Sequence, residues 1–107
     1  MNLVYTHRAR QDLRDLYDYI ALTLLSPEAA RRTADSILYA VRALSSLPER
    51  HPLYHDEPWH SRSVRYVPVK NYLVFYTADT DTETVTVLRI LYAGRDVSKQ
   101  LSESTDD

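Results

Sequence analysis

Twenty-five residues near the C-terminus, Tyr72–Asp96, constrain this chain most: YLVFYTADTDTETVTVLRILYAGRD. Tyr72–Ala78 and Glu83–Tyr92 are dense in β-branched and aromatic residues, the composition of half-buried strands. Asp79-Thr80-Asp81-Thr82 between them carries short polar side chains that hydrogen-bond locally and turn the chain. The segment therefore predicts a hairpin. Arg89 interrupts its second strand. A guanidinium in an apolar strand must find water, a partner or a ligand, because burying it alone is very costly.

The upstream chain reads as helices. Leu3-Val4-Tyr5 is a short strand, and the Thr6 hydroxyl is placed to cap a helix directly after it. Ala9, Leu13, Leu16, Tyr17, Ile20 and Leu24 recur at helical spacing on one face. Ser26-Pro27-Glu28 starts a second helix, with serine as cap, proline preset for the first turn and glutamate at the positive helix end. Its stripe is Ala30, Ala34, Ile37, Leu38, Val41 and Leu44, ended by Leu47-Pro48. The short connection at Leu25-Ser26 predicts an antiparallel helical hairpin. Glu49–Ser61, with two prolines and three histidines, is a loop. Ser63–Val69 is a strand whose Pro68 marks an edge or bulge. Lys70-Asn71 turns it into Tyr72.

The order β-α-α-β-β-β predicts a two-layer α+β fold. A helical hairpin covers one face of a mainly antiparallel sheet, and the other face is left open. Residues 1–101 form one domain, and 102–107 a flexible acidic tail; fraying is expected from Ser98 onward. The charge supports this division. The net charge of −2 is concentrated in Asp96–Asp107, which holds four acids against Lys99 alone. The remainder carries 12 basic and 11 acidic residues, far from the excess of a dedicated nucleic-acid binder. No direct DNA binding is expected. Cysteine is absent, which removes disulfides and thiolate metal sites and fits a reducing compartment. Thr6-His7-Arg8 breaks any N-terminal apolar segment, and no run approaches the roughly 20 apolar residues of a membrane span. A cytoplasmic protein is expected.

Candidate site residues lie on and after the strands. Arg65 alternates with Val64 and Tyr66, and Arg89 with Leu88 and Ile90. If the helices cover the Leu88/Ile90 face, both arginines share the open face. They then form a cationic patch for phosphate or for a partner's carboxylates, or they are solvated and paired on the sheet. Arg95 and Asp96 follow Gly94, which suits a turn that other residues strain to make; a local Arg–Asp bond is the structural alternative. Tyr66, Tyr72, Tyr76 and Tyr92 could stack on bases, but read better as amphipathic residues at the core edge. His51, His55 and His60 sit on a loop without the framework a metal site needs, so no metal or other cofactor is expected. Trp59 beside them reads as an anchor pinning the loop to the core.

VRYVPVKNYLVFY followed by VTVLRILYAGRD, behind a helical hairpin, resembles the RelE/ParE superfamily of bacterial toxins from type II toxin–antitoxin pairs. The resemblance runs from about Leu3 to Leu101. It implies a cognate antitoxin partner and one of two activities, ribosome-dependent mRNA cleavage or poisoning of DNA gyrase. The nuclease branch tends to carry arginine where this chain has Leu73. The Pro68–Tyr72 turn and the Ala93–Asp96 exit look closer to the ParE-like branch. On that reading the chain binds DNA gyrase without catalysis, through Arg65, Arg89, Tyr92 and Arg95. The alternative is a RelE-like endoribonuclease acting on ribosome and mRNA, with Arg65 and Arg89 neutralising phosphate and Tyr92 moving a proton. A third reading is an inactive toxin-like domain that only binds its antitoxin.

Overall fold

A computed structural model of the chain describes residues 1–94 and 96–103. Its elements are β1 (Asn2–Tyr5), α1 (His7–Asp18), α2 (Pro27–Ala43), β2 (Arg65–Val69), β3 (Tyr72–Asp79), β4 (Thr84–Tyr92) and α3 (Val97–Ser102), with a π-helical turn at Tyr19–Thr23 between α1 and α2. The α+β order is the expected one, with a short third helix added. β2, β3 and β4 form the antiparallel meander, and β1 joins parallel to β4, so the mixed sheet runs β1-β4-β3-β2.

Local chemistry explains these elements. The Thr6 hydroxyl accepts from the Ala9 N–H at 3.0 Å, capping α1, and donates to the Leu88 carbonyl at 2.9 Å. Ser26 makes no side-chain cap bond; Pro27 in the first turn and Glu28 beside it start α2 instead. Asp79 Oδ1 accepts from the Asp81 and Thr82 amides, closing the β3–β4 turn. Ala9, Leu16 and Ile20 face the sheet and Leu13 packs at its margin, but Tyr17 and Leu24 are exposed. The wider π turn rotates Leu24 off the stripe that an uninterrupted α-helix would give it.

Each face of the sheet carries a core. Against α1 and α2 lie Val67, Val74, Tyr76, Val85, Val87 and Ile90. On the opposite face Tyr54, Trp59 and Val64 of the 49–64 segment, with Leu101 of α3, enclose Phe75 and Leu91. This corrects two expectations. The face opposite the helices is covered over β2, β3 and the end of β4, with Val4 of β1 still exposed, and the segment from Ser98 does not fray before Ser102, because Leu101 fills the second core. Trp59 is the expected anchor, with the Arg62 guanidinium 5.4 Å over its ring.

A bulge determines how β4 meets these two cores. Tyr76 pairs with Val87 but Phe75 with Arg89, so Leu88 is an extra residue. Without it, Ile90 would share a face with Leu88. With it, Ile90 turns to the helices, while Leu88 and Leu91 pack on the α3 side.

Candidate functional site

β1 ends at Tyr5, opposite Val87, where the chain turns into α1. Beyond that point the outer edge of β4 has no strand partner from β1, and exposed strand edges must be closed by other groups. Thr6 supplies the first closure, its amide donating to the Val87 carbonyl at 3.0 Å and its hydroxyl to Leu88. Asp12 supplies the next. Its Oδ2 accepts from the Ile90 N–H at 2.9 Å, so a carboxylate replaces a strand carbonyl.

Asp12 is neutralised by Arg89. Arg89 donates from Nε to Oδ2 at 2.7 Å and from Nη2 to Oδ1 at 2.9 Å, a two-point guanidinium–carboxylate pair. Its Nη1 donates to the Gln100 carbonyl in α3 at 3.2 Å. Arg89 is only 7% exposed. It ties α1, β4 and α3 together and does not present its charge to solvent.

Arg65 lies elsewhere. It pairs with Tyr76, whose ring belongs to the helix-side core, whereas Arg89 pairs with Phe75 of the other core. The two arginines thus sit on opposite faces, and Arg65 is on β2 at the far side of the sheet. Its Nη1 donates to the His51 carbonyl at 2.7 Å and its Nη2 lies 3.7 Å from Glu49. The expected shared cationic patch is absent. Arg89 does face away from Ile90 and the helix-side core. The misplaced residue is Arg65, because Val64 and Tyr66 pack on the second core and alternation then sends Arg65 to the helix side with Val67.

Tyr92, the last residue of β4, is 45% exposed and edge-on to Tyr72, with ring centroids 5.8 Å apart. Burial, with Tyr92 and Tyr19 adding to it, pushes the Tyr72 hydroxyl above its ordinary pKa. Gly94 does not adopt a positive φ, contrary to the turn argument for it. Its requirement is space, since a Cβ there would lie 2.5 Å from the Tyr92 ring. Arg95 falls outside the described residues.

These groups line a groove of about 720 Å³ between the end of α1, the π turn and the ends of β3 and β4. Tyr19, Leu24, Tyr72 and Tyr92 give it aromatic and apolar walls. Asp15 and Lys70 are exposed on its rim, and Gln100 of α3 also lines it. Of the four residues singled out from sequence, Arg89 and Tyr92 are in this groove and Arg65 is not. Asp12, Tyr19, Lys70 and Gln100 were missed. Asp12 had a legible signal: it falls between Ala9 and Leu16 on the apolar side of α1, where a charge needs a partner.

The other tyrosines follow the core-edge reading. Tyr76 is buried and donates to the Pro48 carbonyl at 2.6 Å, and Tyr66 packs against the second core. The loop histidines serve separate contacts. His55 lies 3.2 Å from Asp56 and His60 3.9 Å from Glu57. Burial, with Arg50 nearby, lowers the His51 pKa. Among the described residues no group of three or more His, Asp or Glu is placed to hold a metal ion. None of the helices among them is long and apolar enough to cross a membrane.

This geometry has relatives. A chain from a chromosomal ParDE toxin–antitoxin system of P. aeruginosa superposes with a TM-score of 0.69 at 23% identity, covering 86% of this chain and 95% of that one. A chain of the RelBE2 toxin–antitoxin complex of Mycobacterium tuberculosis gives 0.60 at 23% identity, covering 85% and 95%. At that identity the likeness speaks to the fold. No curated protein matches the chain significantly. The family model for the ParE toxin of the type II toxin–antitoxin system parDE matches residues 3–97. With nearly the whole chain inside that match, and the fold agreeing, this protein belongs to the ParE toxin family of type II toxin–antitoxin systems.

Proposed function

We propose that the chain inhibits DNA gyrase by binding, performs no chemistry of its own, and is neutralised by a cognate antitoxin. The observation that carries the reading is the use of Arg89. A nuclease working through a 2′-hydroxyl needs cations poised on the phosphate and groups that transfer protons. Arg89 is buried against Asp12, and Arg65 is across the sheet, so Tyr92 is not joined by the two arginines an RNase site would draw on. Leu73, where the nuclease branch tends to have arginine, packs against the second core. Membership of the ParE family supports the gyrase target, and the toxin–antitoxin assemblies among the structural relatives support the antitoxin.

In this reading Arg89 is a positioning residue. The contact surface is the groove rim, Tyr92 above all, and Arg95, which follows it in the sequence, is a further contact. The test pairs two assays on the purified chain. Supercoiling by gyrase should be blocked, and messages in a translating extract should remain intact. Codon-edge cleavage with gyrase unaffected would make the endoribonuclease reading correct.

A further inference from the structure

We propose that the tip of the helical hairpin, Tyr19–Leu25, is the element that docks on gyrase, and that it enters an apolar hollow rimmed by basic residues. This rests on the gyrase reading above. Three observations carry it. First, the tip exposes large apolar side chains: Leu22 is 71% and Leu25 82% exposed, with Tyr19 and Leu24 each more than half exposed. A cluster of this kind at one protruding end marks an interaction surface.

Second, the tip is held in an unusual backbone. The π turn is closed by the Leu24 amide on the Tyr19 carbonyl and the Ser26 amide on the Ile20 carbonyl, both at 3.0 Å. Leu25 follows at φ 54°, in the left-handed region where glycine or asparagine is the ordinary choice. A leucine there, pointing into solvent, gains the fold nothing. Its use is as a preorganised apolar contact that loses little freedom on binding.

Third, the chain that forms the tip and its flanks carries only acidic charge, the nearest cations being Lys70 across the groove and Arg14 one turn back on α1. Asp15, Asp18 and Glu28 are exposed, and no lysine or arginine occurs between Arg14 and Arg31. An apolar centre with an acidic rim complements an apolar hollow with a basic rim. A DNA enzyme has such rims, because it holds phosphates with lysine and arginine. The tip would thus occupy part of a surface that gyrase uses for DNA.

The test compares the unmodified chain with Leu22→Ser/Leu25→Asn in supercoiling inhibition and in direct binding to gyrase. Asparagine tolerates the left-handed backbone, so melting should not fall. The concentration for half-inhibition should rise at least about tenfold. Asp18→Asn/Glu28→Gln should slow association several-fold at low salt and much less at high salt. Equal potency of the leucine variant would overturn the docking assignment and leave the gyrase reading standing. An inert unmodified chain would sink both. A concentration-dependent dimer of the unmodified chain, abolished in the leucine variant while inhibition persists, would assign the tip to a second copy and also overturn the proposal.

Discussion

Asp12→Ala tests the central contact of the groove. One carboxylate accepts from Arg89 Nε, Arg89 Nη2 and the Ile90 amide, and the paired side chains are 8% and 13% exposed. Deleting one partner of a buried pair costs about 3–5 kcal/mol, because the other charge is left uncompensated. The Ile90 N–H also loses its acceptor, worth about 1–3 kcal/mol. The two costs overlap, since water entering the vacancy would serve both groups, so about 4 kcal/mol is expected. In a domain near 100 residues each kcal/mol moves the midpoint by about 4–8 °C, so the melting temperature should fall by about 16 °C or more. Scanning calorimetry or denaturant titration reads this directly. Arg89→Leu alone should be similarly damaging. The double variant Asp12→Leu/Arg89→Leu should recover part of the loss, since apolar replacement of both charges removes the desolvation cost, with a coupling of about 1–3 kcal/mol. An Asp12→Ala protein melting within about 3 °C of the original would refute the buried-pair argument.

Ile37 is fully buried whereas Leu13 sits at the core margin, so Ile37→Ala should cost about 2–5 kcal/mol and Leu13→Ala distinctly less in urea unfolding; equal losses would contradict the packing. Burial raises the pKa of Tyr5, Tyr72 and Tyr76, so the folded state keeps these phenols protonated after the unfolded chain ionises. Their contribution is complete below about pH 10 and is lost as pH rises through the raised values. Absorbance titration at alkaline pH should therefore show a late-ionising set among the nine tyrosines that releases on unfolding; a single uniform transition near pH 10 in the native protein would argue against it. Gly94→Ala places a methyl against the Tyr92 ring, which is partly exposed and has room to swing away. Stability should change by less than about 1 kcal/mol while gyrase inhibition weakens as it does in Tyr92→Ala, and unchanged inhibition would remove Tyr92 from the contact surface.

The order of elements was legible because each rests on local chemistry: Thr6 as a cap, Pro27 in a first turn, Asp79 closing a hairpin, Pro68 on an edge strand. The helical tail was not, since Val97 and Leu101 are a single helical turn of pattern and their partners Phe75 and Leu91 come from the sheet. The site failed for a sharper reason. Alternation along one strand does not say which face the helices cover. On β2 Val64 and Tyr66 pack on the second core and send Arg65 to the helix side, while the bulge at Leu88 keeps Arg89 on the side away from Ile90. That bulge, Asp12 and Arg89 belong to one arrangement. β1 stops at Tyr5, so the Ile90 amide needs an acceptor from outside the sheet. A carboxylate can fill that role in a buried place only if a cation neutralises it. The bulge brings Arg89 to where it does so, and the same guanidinium then fixes α3 through Gln100. The arginine that looked like a functional charge in the sequence is thereby committed to the edge of the sheet, and Tyr92 and the hairpin tip supply the large exposed apolar side chains around the groove.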